Sequence, residues 1–222
     1  MATKRKVRPT RRAAVRTAPS RTPGRPRSAA SRSAILRAAY QLLRERGVTG
    51  FTVEGVAARA GAGKATIYRW WHHKGTLAIE AFLVAVVPKL DAARTSDSAI
   101  ADLRRQVHAT ASIYRGRVGV LLRELVALGQ ADPETSRRLR SDFVAPRREA
   151  AMVTLRRAQE MGEIPAGADL DVLVDALWGP IFHRLLVSHT KIDRRFIDRL
   201  LDLVLAGAMQ STAHGARHGS GL

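Results

Sequence analysis

The chain has 222 residues, 45% hydrophobic and 26% charged, which is enough apolar matter for a sizeable core in one or two domains. Its 38 Lys and Arg against 19 Asp and Glu leave a formal net charge of +19, so the expected partner is a polyanion, with double-stranded DNA first. The lack of cysteine excludes disulfides, thiol redox sensing and Cys-based zinc sites. No apolar run is long enough to span a bilayer, and none follows the basic N-terminus as in a signal peptide. A cytoplasmic protein with no membrane partner is therefore expected.

Residues 1–32 hold eleven of the basic residues and no acid. Pro9, Pro19, Pro23 and Pro26 oppose helix formation there, so residues 1–30 are expected to be a disordered basic arm. From Ser33 a helical period begins. Ile35, Ala38, Ala39, Leu42 and Leu43 share one face, and Gly47 ends it. Thr52 opens a second stripe, Val53, Val56, Ala57 and Ala60, which Gly61 stops. A third short helix runs from Lys64 to about Trp71, followed by a turn at His72–Gly75. A fourth runs from Thr76 to about Val87, closed by Pro88.

The remainder to residue 210 reads as helix throughout, with no convincing strand or repeat. Leu139, Phe143, Val153 and Ala158 predict one long helix bent near Pro146. Leu170 to Leu186 keep helical spacing, with Asp169 as N-cap, Asp171 facing the positive helix end, and Pro180 expected to kink it. Phe196 to Ala208 form a last helix, and residues 211–222 are expected to be a disordered tail. The predicted class is all-α: a three-helix head over residues 31–88 carrying a helix-turn-helix, then an antiparallel helical bundle over 89–210.

The head motif has a physical logic. A short Ala-rich helix lets its successor cross closely, and Gly61 permits a positive φ at the turn. Small residues at the start of the next helix let its backbone approach the major groove, while Ile67 and Trp71, four apart, face the core. The string Ala60, Gly61, Lys64, Thr66, Tyr68, Arg69, Lys74 and Leu77 resembles the TetR family of regulators. Lys64–Arg69 with Trp71 also match the Lys-Ala-Thr-Ile-Tyr-Arg-Arg-Trp form of one subgroup. The chain departs from the family pattern at Gly63 (usually Ser), His72 (usually Pro), Gly75 (usually Glu or Asp) and Trp70.

That resemblance implies phosphate contacts from Thr52, Tyr68 and Lys74. It places Lys64, Ala65 and Thr66 near bases, with Arg69 and Trp70 as further candidates; His72 and His73 are turn residues, solvated or touching phosphate. Pro23-Gly24-Arg25-Pro26-Arg27 is similar to the core of minor-groove arms. Two uses stay open for Arg25 and Arg27: insertion into an A·T minor groove, or a non-specific electrostatic arm. The resemblance also implies a homodimer through about residues 169–209 and an unknown small-molecule effector. Tyr114, Met152, Trp178, Phe182 and His183 are the candidate lining of its site. No catalytic residue, metal site or cofactor is expected, because His-Glu-x-x-His, nucleophile-elbow and phosphate-loop patterns are all missing.

The expected function is therefore a transcription regulator, a repressor released from a palindromic operator by its effector. The alternative is a sequence-tolerant architectural DNA-binding protein driven by the basic arm.

Overall fold

The computed structural model describes residues 25–90 and 96–210, and among them every regular element is a helix. The expectations for residues 1–24 and 211–222 lie outside the described residues. Helix α1 spans Arg25–Arg46, α2 Val53–Ala60, α3 Lys64–Trp70 and α4 Lys74–Leu90. After the next described residues come α5 Ala99–Tyr114, α6 Arg117–Ala131, α7 Pro133–Arg138, α8 Ala145–Glu160, α9 Leu170–Val187 and α10 Arg194–Gln210.

The predicted stripes are largely the buried faces, but Val153 and Leu186, which helical spacing put on them, are 56% and 40% exposed, because the helices turn their neighbours Ala151, Leu155 and Leu185 inward instead. Ile35, Ala39, Leu43, Val56, Ile67, Trp71, Leu77 and Phe82 are buried in α1–α4. Leu103, Val107, Leu121, Leu125, Leu155, Leu177, Ile181 and Leu201 are buried in the later helices. These residues join into one continuous apolar core.

Three boundaries correct the sequence reading. Helix α1 starts at Arg25 rather than Ser33, so Arg25 and Arg27 belong to a helix and not to a disordered arm. Pro26 falls in its first turn, where the missing N–H would have had no intrahelical partner. Helix α4 begins at Lys74 and carries Pro88 inside its last turns rather than ending before it. The long helix expected around Pro146 is three pieces: α7, a π-helical turn Leu139–Val144, and α8. Pro146 sits at the start of α8, and the wide turn just before it supplies the irregularity. Asp169 caps α9 as expected, accepting from the N–H groups of Asp171 and Val172. The helix runs on through Pro180.

Candidate nucleic-acid interface and effector cavity

The helix-turn-helix is built locally. Thr52, in extended conformation (φ −131°, ψ 150°), accepts the Gly55 N–H at 3.1 Å and so caps α2. Gly61 ends that helix in the left-handed region (φ 61°, ψ 33°), and Ala62 N donates to Ala57 O. This backbone needs no distortion for glycine, whereas a side chain would strain it. Gly63 then starts α3 in extended conformation with no side-chain cap, as the absence of the usual serine implies.

Helix α3 is pinned from behind. Ile67 and Trp71 are buried, and the Trp71 indole donates to Glu80 on α4 at 2.8 Å. Arg32 of α1 pairs with the same carboxylate and lies 5.7 Å from the Trp70 ring centroid and 5.8 Å from that of Trp71. Glu80 thus locks α1, α3 and α4 together. Trp70 is 40% exposed, half packed against Arg32 and half open.

The outer face of α3 is free of the core. Lys64, Ala65, Tyr68 and Arg69 are exposed, and Thr66 is half-buried. Lys64 makes a 3.1 Å ion pair with Glu54, both side chains being largely solvated, so a phosphate or base can replace Glu54 at little cost. Thr52, Tyr68, His72 and Lys74 line one surface concavity with Glu54 and His73. The residues singled out separately as phosphate-contact candidates therefore share one seat. Arg25 and Arg27 lie on the first turn of α1.

Sequence reasoning placed His73 in a turn and missed its partners. Its Nε2 lies 2.9 Å from Glu134 and 3.7 Å from Asp132, both at the start of α7. Beside it, a Cβ on Gly75 would fall 2.2 Å from the Thr135 hydroxyl. This close approach of α7 is a physical reason for glycine where the related pattern has an acid. A second bridge runs from α6 to the end of α1. Glu124 accepts the Val48 N–H at 2.7 Å, and the Arg117 Nε donates to Arg44 O at 2.9 Å. Such contacts join residues far apart in the chain, and no local pattern signals them.

A cavity of about 270 Å³ opens among α5, the π turn, α8 and α9. Of the five candidate lining residues, Tyr114, Trp178 and Phe182 line it. Met152 and His183 do not. Met152 packs against the core, while His183 is exposed and stacks near His189, with centroids 4.8 Å apart. Helical spacing identified the inner faces but not which part of each face looks onto the void. Gln106, Phe143 and Arg147 are among the other lining residues, which the sequence did not suggest. Burial pushes the Tyr114 phenol well above its ordinary range, and the nearby Arg147 charge pulls weakly the other way. Phe143 also meets Phe82 of α4 edge-on, with centroids 5.8 Å apart.

A helical head with this turn geometry and an exposed, partly basic face defines a helix-turn-helix DNA-binding regulator. The family model "Bacterial regulatory proteins, tetR family" matches residues 35–81, and "Tetracyclin repressor-like, C-terminal domain" matches residues 95–204. The chain is 33% identical over 190 residues to the uncharacterized HTH-type transcriptional regulator YdeS of Bacillus subtilis, covering 86% of this chain and 96% of that one. It is 30% identical over 178 residues to the DNA-binding transcriptional repressor TetR of Mycobacteroides abscessus, covering 78% and 90% of the two chains. The crystal structure of the TetR family transcription regulator SCO0332 superposes with a TM-score of 0.70 at 36% identity, covering 80% of this chain and 97% of that one. The chain belongs to the TetR family of transcription regulators; it is a DNA-binding protein and not an enzyme.

Proposed function

We propose that the protein is a homodimeric repressor that holds a palindromic operator through α3 and releases it when a small molecule fills the cavity. The observation that carries this reading is Phe143. It lines the cavity and packs on Phe82 of α4, the helix that follows the recognition segment. A ligand that displaces Phe143 acts on α4 and therefore on the placement of α3. The shift in DNA affinity equals the ligand's difference in affinity for the two head positions.

Base contacts are assigned to Lys64, Ala65 and Thr66, with Arg69 and Trp70 at the edge of the footprint. Phosphate contacts are assigned to Thr52, Tyr68, His72 and Lys74. Dimerisation is assigned to α9 and α10, within about residues 169–209. Val172, Val187 and Leu203 are exposed there at 61%, 60% and 74%, an unusual outlay of apolar surface for a lone chain. Two copies related by a two-fold axis read two half-sites about one helical turn apart. The head is taken to end near residue 88, and the cytoplasm is the expected site of action.

The test is binding selection from random DNA fragments near physiological salt, with the particle mass measured in the same preparation. A recovered palindrome that is lost with Lys64→Ala and Thr66→Ala together, bound by a dimer, supports the reading. Fragments with no shared sequence would replace it with sequence-tolerant coating of DNA.

A further inference from the structure

The polar groups facing the cavity are mostly donors. The Trp178 indole N–H is buried and has no hydrogen-bond partner in the described residues. An indole nitrogen can only donate, so what completes it must bring an acceptor. Arg147 lies in the same wall. Its guanidinium is set in place by donating to Phe143 O at 2.9 Å and by lying 4.4 Å from the Phe143 ring centroid. A held, planar guanidinium matches a carboxylate better than any other common group. Thr110 and Tyr114 also line the cavity, and a hydroxyl can donate or accept. The acid among the lining residues is Asp175, and Arg148 already pairs with it and with Asp171.

One acceptor faces the other way. The Gln106 side-chain oxygen is buried without a hydrogen-bond partner in the described residues. Leaving a buried polar group unmatched is costly, and a ligand with the opposite polarity removes that cost. The rest of the wall is Phe143, Val174 and Phe182, apolar and partly aromatic. At about 270 Å³ the cavity is at the small end of ligand sites, which commonly hold roughly 300–1,000 Å³. That volume suits a ring with a short side arm.

We propose that the effector is a ring-sized apolar carboxylic acid, its carboxylate held by Arg147 and the Trp178 N–H, and its ring carrying a hydroxyl that donates to Gln106. The proposal rests on the reading of this cavity as the effector site.

The experiment is isothermal titration calorimetry on the full-length protein with benzoic, phenylacetic and 3-phenylpropanoic acids, their ring-hydroxylated forms and the primary amides of all of them. Operator release is followed in parallel by fluorescence anisotropy. At least one acid is expected to bind, with its amide roughly tenfold weaker and its hydroxylated form tighter. Arg147→Met should erase the preference for acid over amide. Trp178→Phe should weaken acid binding several-fold at unchanged melting temperature. Should Arg147→Met fail to fold, Trp178→Phe and Gln106→Leu carry the test, the latter removing only the preference for the hydroxylated ring.

Amides binding as tightly as acids, no acid binding at all, or an acid preference that survives these substitutions would overturn the proposal. A neutral ligand that fills the cavity and releases DNA would sink the acid while leaving the switch intact. An acid that binds through Arg147 without releasing DNA would uphold the ligand class and sink the switch.

Discussion

His73 Nε2 lies 2.9 Å from Glu134 Oε2 while its Nδ1 accepts the Gly75 N–H at 3.2 Å, so one imidazole ties the end of the recognition segment to α7. With Nδ1 accepting, the ring proton sits on Nε2 and is donated to the carboxylate. The pair is about one-third exposed, so its direct worth is modest, and its consequence is positional. His73→Ala removes both bonds and loosens the start of α4. Operator affinity is expected to fall several-fold, corresponding to about 1 kcal/mol, with helix content by circular dichroism unchanged. Glu134→Gln keeps an acceptor oxygen and should retain most of the affinity. Unchanged affinity in the alanine variant would show that the imidazole does not position the head.

The approach of α7 to α4 gives a second prediction. A Cβ at Gly75 would sit 2.2 Å from the hydroxyl of Thr135, a fully buried residue. Gly75→Ala therefore forces the helices apart and is expected to cost about 1–3 kcal/mol, the usual range for overpacking. Thr135→Ala removes the obstructing atom, and with it the hydroxyl that helps hold the Asp132 carboxyl below its usual range, so alone it should cost only about 1 kcal/mol. In the double variant it should restore most of the lost stability. Urea denaturation of the four proteins measures the coupling, and additive effects would refute the contact.

Glu80 is the third point. Its side chain is 14% exposed, accepts the Trp71 indole N–H and pairs with Arg32. Glu80→Ala strands a buried donor and a cation beside it, with an expected cost of about 2–4 kcal/mol. Glu80→Gln keeps an acceptor for Trp71 and should lose less. Melting temperatures rank the three proteins, and tryptophan emission checks whether Trp71 has become wetter.

How much of this was legible in the sequence depends on how local each feature is. Gly61, Ile67 and Trp71 do their work within one or two turns, so their spacing gave the helix-turn-helix directly, and Asp169 announced α9 for the same reason. The π turn at Leu139–Val144 leaves no mark in periodicity, because its apolar residues Leu139 and Phe143 still stand four apart, as an α-helix would place them. Glu124, Glu134 and Glu80 look like ordinary surface acids until the chain folds and brings their distant partners to them. Trp178 and Met152 both stand at inward helical positions, and only the packing of α8 against α9 decides that one lines the void and the other does not.

Asp102 makes stability depend on acid. Hydrogen bonds from the Ser96 hydroxyl and backbone N–H, with Arg157 and Arg105 alongside, hold its carboxyl well below the usual carboxylate range. A depressed folded-state pKa contributes stability that is fully present above the unfolded value, near 3.9, and is lost as pH falls through the folded one. The gap in urea midpoint between the native protein and Asp102→Asn should therefore be constant from neutrality to about pH 5 and close progressively below it. A gap that stays constant into strong acid would show that Asn loses contacts unrelated to charge.

Thr52 separates structural from DNA-binding effects in a single side chain. Its hydroxyl oxygen accepts the Gly55 N–H at 3.1 Å, which uses an acceptor site and leaves the O–H proton to donate outward. If DNA lies in the concavity shared with Tyr68, His72 and Lys74, that proton is free to donate to a phosphate. Thr52→Ala removes cap and donor together, so it should cost about 1 kcal/mol of stability as well as operator affinity. Thr52→Asp keeps the cap, since aspartate is as good an N-cap as any residue and suits the positive helix end. It also places a negative charge where the phosphate would sit. The expected outcome is a melting temperature equal to or above that of the native protein, with operator binding reduced far more than by alanine. Lys74→Ala in the same series should leave stability unchanged and flatten the slope of log affinity against log salt by about one unit, one phosphate contact fewer. If Thr52→Asp binds operator as well as the native chain, no phosphate occupies this seat, and the footprint must lie elsewhere on α3.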